Sequence, residues 1–337
     1  MRMKLLASVF VALVAVFAVF DAALAQTTFR WKAVATSRPT PQFALWTWLG
    51  EELEKRSKGQ IKVDVVSLPE LGLTGFELLR VTRAGLVDIT DVILAFVAGE
   101  VPVIEAVDLP GLYADFESSV KAHIAFIPAL KKYEDKMGGV VLGAYLWPHQ
   151  VIYSRKPIRS PADLKGLKIR VYGAGQTEFA RALGAEPVAI PFAEVYTALE
   201  RGTVDAGFTG TFSGYALKWF EVSKYLVDVN HGPNSGALVV SKRSWDKLTP
   251  ELQGILRKLG AEFSEKAWEV GRWTTREGIE KNKEKGMEWV PMTPAMATTV
   301  RETLTKHVLP GWVKRSGPEA KPIFNQYLAP YAGTTVP

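Results

Sequence analysis

Apolar and polar residues alternate in short blocks over the first third of the chain, and each block has the periodicity of one kind of element. A period of two predicts strands, and apolar positions three and four apart predict helices. Strands are expected over residues 29–34, 61–66 and 88–94, and helices over residues 41–58 and 76–84. These elements form a βαβαβ unit, which is right-handed as a rule. The alternation predicts an α/β fold with mostly parallel strands.

The same alternation continues towards the C-terminus. Thr249 and Pro250 are residue types preferred at the N-cap and first position of a helix, so a long helix is expected from there into the 270s. The basic, proline-containing stretch 154–161 indicates a crossing between domains. The tail after Pro310 favours packed coil and short helix. The other expected elements are a helix over 118–136, strands over 140–145 and 237–241, and a second α/β set within 151–229.

The N-terminus has the three parts of a secretory signal peptide. Arg2 and Lys4 give the basic start, residues 5–20 are uncharged and mostly apolar, and Ala23 and Ala25 are the small residues before a cleavage point. The alternative is an uncleaved membrane anchor, but this apolar run is shorter than the roughly 20 residues that span a bilayer. Residues 1–25 are therefore predicted to be a signal peptide, cleaved after about Ala25, and the mature chain to be exported.

Composition excludes several classes of protein. With 47% hydrophobic and 23% charged residues, the chain is neither disordered nor a multi-span membrane protein. The net charge is +6, but acidic and basic residues are interleaved, which is typical of solvated helix faces and not of a nucleic-acid-binding patch. There is no cysteine, and the four histidines lack metal-ligand spacing. No metal, cofactor or nucleic-acid partner is expected.

Arg170 is the strongest candidate for a binding residue. It lies near the end of an expected strand over residues 167–172, which leads through Gly173 and Gly175 into a helix over 176–183. Ligands of α/β proteins bind at this end of the strands, and both a helix N-terminus and an arginine favour a carboxylate. The alternative is that Arg170 makes a structural salt bridge at the sheet edge.

Two segments carry a resemblance to a known family. One is the run Asp-Leu-Lys-Gly-Leu-Lys-Ile-Arg-Val over residues 163–171, and the other is residues 194–206, which follow the pattern E-x-Y-x-A-L-x-x-G-x-V-D. Leu71 and Gly72, and residues 84–88, are similar to upstream landmarks of the same family. Together these segments resemble the substrate-binding proteins of TRAP (tripartite ATP-independent periplasmic) transporters, the DctP-like family. The resemblance extends in order over nearly the whole mature chain.

This resemblance implies a two-lobed periplasmic-binding-protein fold, a clamshell with hinge strands and a long spanning helix. Lobe I is expected to contain residues 26–147 plus about 236–275, and lobe II residues 148–235 plus about 276–337. The family's main carboxylate-binding arginine falls on Arg170, so the resemblance implies that Arg170 holds the ligand.

Other family positions differ in this chain. Many relatives carry a second arginine where this chain has Gln150, which argues against a second strongly bound anionic group. Thr209 stands where many relatives have asparagine, and Phe208 precedes it. Together with Trp147, these residues indicate a less polar ligand, with core packing as the alternative for the two aromatic side chains.

Three further residues are candidates near the cleft. Thr36 and Ser37, in the loop after the first strand, either bond a ligand hydroxyl or cap the helix that begins near Pro41. His149 is either a donor to a carboxylate or a partly exposed hinge residue.

The sequence therefore predicts a periplasmic, extracytoplasmic solute-binding protein, not an enzyme. It is expected to capture an organic acid through an arginine–carboxylate clamp and to deliver it to the membrane permease subunits of a TRAP transporter. The favoured ligand is a monocarboxylate, either aromatic or a 2-oxo or 2-hydroxy acid. The alternatives are the same fold serving a sensor or chemoreceptor, and an enzyme acting on a carboxylate, although no catalytic motif is found.

Overall fold

The computed structural model describes residues 28–337. The predicted signal peptide, residues 1–25, and its cleavage point lie outside the described residues. Within the described part, strands and helices alternate and form a mixed α/β fold, as the sequence predicts.

The strands, numbered in chain order, are β1 (Phe29–Ala35), β2 (Ile61–Ser67), β3 (Ile89–Ile93), β4 (Gly139–Ser154), β5 (Lys168–Val171), β6 (Glu186–Ala189), β7 (Ala206–Gly210), β8 (Tyr225–Val227), β9 (Pro233–Ser241) and β10 (Glu288–Val290). The α-helices are α1 (Pro41–Arg56), α2 (Leu78–Arg83), α3 (Phe116–Lys131), α4 (Glu134–Met137), α5 (Ala174–Ala182), α6 (Val195–Glu200), α7 (Thr211–Ala216), α8 (Lys242–Trp245), α9 (Pro250–Glu284), α10 (Pro294–Thr303), α11 (Leu309–Ser316), α12 (Ala320–Tyr327) and α13 (Ala329–Ala332). Short 3₁₀ helices cover Pro69–Leu71, Leu94–Val97, Pro102–Asp108, Pro161–Leu164, Phe192–Glu194, Trp219–Glu221 and Gly317–Glu319, and a π-helix covers Leu304–Val308.

The strands form two sheets that share β4. The first has the order β2-β1-β3-β9-β4, in which β1 is parallel to β2 and β3, and β9 is antiparallel to both its neighbours. The second has the order β4-β7-β5-β6, with β5 parallel to β6 and β7. The largest apolar core includes side chains from both sheets, such as Val92, Ile152 and Phe208.

Strand β4 is longer than the predicted 140–145, because it continues through Pro148 into the second sheet. Its pairing with β9 covers Gly139 to His149, and its pairing with β7 begins at Gln150. A register shift between Leu146 and His149 marks a bulge, which accommodates a proline that cannot donate to the ladder. The chain thus passes from the first sheet to the second before residues 154–161, the basic stretch that the sequence indicated as the crossing between domains. The lobe boundaries given above stay a prediction.

Helix α9 runs alongside both sheets. The Thr249 hydroxyl accepts a hydrogen bond from the Leu252 backbone N–H at 3.3 Å, and Pro250 follows, so the predicted start is confirmed. The helix packs against α1 and β4, and then against α7, which follows β7 of the second sheet. Gly278 makes the last contact possible, because a Cβ atom there would overlap the backbone of Thr211 and Phe212.

One prediction of local structure needs correction, and a second is made more definite. The helix expected over 118–136 is two helices, α3 and α4, because the chain turns at Lys132 and Tyr133. The tail after Pro310, expected to be packed coil and short helix, consists mostly of the short helices α11, α12 and α13. Trp312 anchors it: the side chain is fully buried and its Nε1 donates to the Pro102 carbonyl at 3.0 Å. No helix in residues 28–337 combines the length and apolarity needed to cross a bilayer.

Candidate ligand-binding cleft

A cleft lies beside the bulge of β4, between the two sheets. It contains about 370 Å³ of space not filled by protein atoms, which includes space open to solvent. Loops and strands of both sheets contribute to its wall. The lining residues are Thr36, Ile93, Phe96, Trp147, Gln150, Arg170, Tyr172, Phe192, Thr209, Gly210, Ser213 and Asn234.

Arg170, on β5, is 1% exposed and has no acidic partner within residues 28–337. Its Nε donates to the Ile190 carbonyl at 3.0 Å and its Nη1 to the Phe208 carbonyl at 2.6 Å. These neutral acceptors hold the guanidinium in place and leave Nη2 without a hydrogen bond to the described residues. Burial lowers the pKa of Arg170 to about 10, although the nearby Tyr172 acts in the opposite direction. A buried cation without a counterion favours the arrival of an anion.

Tyr172 and Gln150 support Arg170 from one side. The Arg170 guanidinium carbon lies 4.4 Å from the centre of the Tyr172 ring, a cation–π distance. The Tyr172 hydroxyl donates to Gln150 Oε1 at 2.5 Å, and Gln150 Nε2 donates to the Pro148 carbonyl at 2.7 Å. Gln150 lines the cleft. Its amide is used to hold Tyr172 against the bulge of β4.

The helix N-terminus that follows β5 does not face the cleft. The backbone N–H of Gly175, in the first turn of α5, donates to Glu105 Oε1 at 2.8 Å. Glu105 Oε2 accepts from Arg315 Nη2 at 2.9 Å, and burial raises the pKa of Glu105 to about 7. The anion that this helix start attracts is thus the protein's own carboxylate. The expectation that the start of this helix helps to hold a ligand anion is wrong, because none of its residues lines the cleft.

Residues 33–310 match the family of bacterial extracellular solute-binding proteins called family 7, or DctP. The chain belongs to the DctP family. It is 29% identical over 286 residues to the 2,3-diketo-L-gulonate-binding periplasmic protein YiaO of Escherichia coli, covering 82% of this chain and 87% of that protein. The resemblance to the solute-binding proteins of TRAP transporters is therefore confirmed.

Two solved structures from Bordetella pertussis resemble this DctP-family protein closely. DctP7, an extracytoplasmic solute receptor binding pyroglutamic acid, superimposes with a TM-score of 0.84 and 26% identity, covering 89% of this chain and 99% of its own. DctP6 is also an extracytoplasmic solute receptor binding pyroglutamic acid. It superimposes with a TM-score of 0.83 and 25% identity, covering 88% of this chain and 99% of its own. The predicted two-lobed fold is thereby confirmed.

In this DctP-family protein, the cleft brings together five of the residues singled out in the sequence: Arg170, Gln150, Thr209, Trp147 and Thr36. Ser37 lies in a neighbouring groove, which shares Thr36 and Phe192 with the cleft. His149 does not line the cleft, because its Nε2 is 3.1 Å from Asp228 Oδ1 and its ring is held there.

Phe208 is a core residue and not part of the cleft wall. Its ring packs against Phe179 and His231, at centroid distances of 6.2 and 5.6 Å. Successive side chains of a strand point to opposite faces, so Thr209 lines the cleft and Phe208 does not. Phe208 contributes to the site through its backbone carbonyl, which accepts from Arg170.

Sequence reasoning missed several lining residues. Tyr172 could have been predicted from the sequence, because it follows Arg170 by two positions and so lies on the same face of the strand. Phe96 and Phe192 come from short 3₁₀ helices, and Asn234 comes from the start of β9, more than sixty residues further along the chain than Arg170. No local pattern marks these three residues. No group of three or more acidic or histidine side chains within residues 28–337 is arranged to hold a metal ion.

Thr36 is tied to a buried carboxylate. Its hydroxyl donates to Asp91 Oδ2 at 2.8 Å, while Asp91 Oδ1 has no partner within the described residues. Burial raises the pKa of Asp91 to about 7, and the hydrogen bonds from Thr36 oppose this only in part. Asp91 thus gives the first sheet a group that titrates near neutral pH.

We expect Asp91→Asn to flatten the dependence of stability on pH. The folded protein keeps the Asp91 proton up to about pH 7, whereas the unfolded chain releases it near the model-compound value of 3.8. The wild-type free energy of unfolding therefore falls as pH rises between these values, by at most about 1.4 kcal/mol per pH unit from this group. Urea unfolding of both proteins at pH 5 and pH 8 measures the difference, and equal pH dependence in the two would contradict the buried, protonated Asp91.

Proposed function

We propose that this protein captures a small monocarboxylate in the cleft through Arg170. The observation that supports the proposal is a fully buried guanidinium whose partners within residues 28–337 are two backbone carbonyls and two aromatic rings, those of Tyr172 and Phe192. A carboxylate supplies the missing counterion and accepts charge-assisted hydrogen bonds. Closure of two lobes around the ligand excludes water and strengthens that pairing, so ligand binding favours the closed state.

The charge of the cleft supports one carboxylate and not two. Among the lining residues in the described part of the chain, Arg170 is the only cationic one, since the histidines lie elsewhere. The Gln150 amide is occupied by Tyr172 and Pro148. Ile93, Phe96 and Phe192 offer an apolar surface to the rest of the ligand. A second carboxylate would be desolvated without a counterion, which is costly.

The ligands named for three of the relatives belong to this class, whereas the Rhodobacter capsulatus relative is named for C4-dicarboxylates. Pyroglutamic acid, bound by DctP7 and DctP6, is a ring-bearing monocarboxylate, and 2,3-diketo-L-gulonate, named for the Escherichia coli relative, is a 2-oxo monocarboxylate. The protein is further proposed to act in the periplasm after loss of residues 1–25, and to pass its ligand unchanged to the membrane permease of a TRAP transporter.

A thermal-shift screen of the purified protein tests the proposal. The panel contains pyroglutamate, branched 2-oxo acids and aryl-alkanoic acids beside malate, succinate and sialic acid. A ligand at 100 times its Kd stabilises the protein by about 2.7 kcal/mol, which gives a measurable shift. We expect the largest shifts from the monocarboxylates. Mass spectrometry should recover the best ligand unchanged, whereas turnover would indicate an enzyme. If a C4 dicarboxylate stabilises most, the argument from Gln150 is wrong.

A further inference from the structure

A second groove lies beside the ends of three neighbouring strands, β4, β8 and β10. It contains about 1380 Å³ of space not filled by protein atoms, which includes space open to solvent. None of the residues that line it also lines the ligand-binding cleft. The groove is therefore separate from the site that Arg170 occupies.

The pairing of these strands brings three cationic side chains together in the groove. The Lys224 backbone N–H donates to the Ser154 carbonyl, and the Lys224 carbonyl accepts from the Glu288 N–H, both at 2.9 Å. Arg155 follows the end of β4, Lys224 precedes β8, and Lys285 lies between α9 and β10. Since neighbouring strands are only about 4.8 Å apart, these three long side chains can reach the same anion.

The three cations are not neutralised by the protein itself. Arg155, Lys224 and Lys285 make no ion pair and donate no side-chain hydrogen bond within residues 28–337. Lys156, which also lines the groove, differs from them because its Nζ is 2.7 Å from Asp205 Oδ1.

Two carboxylates also line the groove. Glu221 Oε2 accepts a hydrogen bond from the Tyr196 hydroxyl at 2.9 Å, and Glu200 is exposed at the end of α6. The lining side chains thus carry four positive and two negative charges, and the groove as a whole is positive.

Ser223 is an independent indication that the groove holds a ligand. It lines the groove and is 5% exposed, yet its hydroxyl has no hydrogen-bond partner within the described residues. Buried polar atoms are nearly always hydrogen-bonded, because an unpaired one loses the free energy of its hydration. The hydroxyl next to Lys224 therefore lacks an acceptor that an anion would supply.

We propose that this groove binds a phosphate group. Arg155 offers a planar fork of N–H donors, Lys224 and Lys285 add compact positive charges, and Ser223 adds a hydroxyl donor. A carboxylate has only two oxygens, whereas a phosphate group has enough oxygens to accept from donors on three strand ends at once. The phosphate belongs either to a free ion or to the headgroup of a membrane phospholipid.

Titration calorimetry with inorganic phosphate at constant ionic strength tests this proposal on the purified protein. The double variant Arg155→Gln, Lys224→Gln should bind phosphate about 10-fold more weakly or worse, because two of the three unpaired cations are gone. Ser223→Ala should weaken binding about two- to fivefold. Lys258→Gln is the matched control, since Lys258 is exposed near the other end of α9 and does not line the groove.

Vesicle co-sedimentation distinguishes the two sources of phosphate. It compares vesicles of phosphatidylcholine alone with vesicles that also contain phosphatidylglycerol. Binding of inorganic phosphate without sedimentation supports a site for the free ion. Sedimentation with phosphatidylglycerol that is lost in the double variant and kept in Lys258→Gln supports a site for a lipid headgroup.

Three results would overturn the inference. The first is that neither phosphate nor vesicles bind, or that the double variant binds them like the wild type. The second is that folded Arg170→Lys loses phosphate binding, which would place the phosphate in the cleft. The third is that a glutamate-rich peptide binds the groove and phosphate does not. Capture of a carboxylate by Arg170 does not depend on this groove, so the double variant should retain it.

Discussion

Arg170→Ala is expected to weaken binding of the best monocarboxylate by about 2–5 kcal/mol, because a carboxylate enclosed in the cleft loses the one cationic side chain that lines it within residues 28–337. Arg170→Lys should recover only part of this loss. An ammonium group cannot reproduce the planar fork that reaches Ile190, Phe208 and a ligand at once. Titration calorimetry measures both variants against the wild type.

A matched control separates the local charge from the overall charge of the protein. Arg276 is exposed on α9, and Arg276→Ala should bind the ligand like the wild type. Since Arg170→Ala also removes one hydrogen-bond donor from each of two carbonyls, circular dichroism must first show that the variant is folded. Affinities of Arg170→Ala and Arg170→Lys within twofold of the wild type would show that the carboxylate binds elsewhere.

Gly278→Ala is expected to destabilise the protein by about 1–3 kcal/mol, although alanine is the better helix former. The added methyl group would overlap the backbone of Thr211 and Phe212, so α9 and α7 would have to separate. Backbone cannot move aside as the end of a flexible side chain does. Urea unfolding monitored by tryptophan fluorescence measures the change.

The same helix provides the control for this prediction. Gly254 has no atom within 4 Å of the position where a Cβ would lie. Gly254→Ala should therefore stabilise the protein by about 0.5–1 kcal/mol through helix propensity alone. If Gly278→Ala also stabilises the protein, as Gly254→Ala should, then α9 and α7 do not approach each other as closely as the structure shows.

Local patterns predicted much of the fold. The alternating β1–α1–β2–α2–β3 blocks and the Thr249–Pro250 helix start depend on neighbouring residues only, and they are confirmed. The continuation of β4 through Pro148 was missed, because a bulge depends on the partner strand β9 and has no signature in β4 itself.

The candidate site could also be predicted only in part. Arg170 carries a local signal, a strand that leads into a glycine loop, and the structure places it in the cleft. Phe208 and Thr209 were both expected to bind ligand, yet adjacent strand residues cannot line the same face. The carboxylate of Glu105 at the start of α5 was not predictable, since it is seventy positions away in the chain and nothing in its own segment marks it.

Strand β9 has a consequence for how the chain folds. It fills the middle of the first sheet, where Ile89 of β3 pairs with Val240 and Val140 of β4 pairs with the same residue from the other side. During synthesis, β3 and β4 therefore remain without their common neighbour until strands β5 to β8 have also been made. Such long-range pairing slows folding, and a chain that stops before residue 233 has a first sheet with a gap between two strands. Neither half of the molecule is thus obtained by cutting the sequence once.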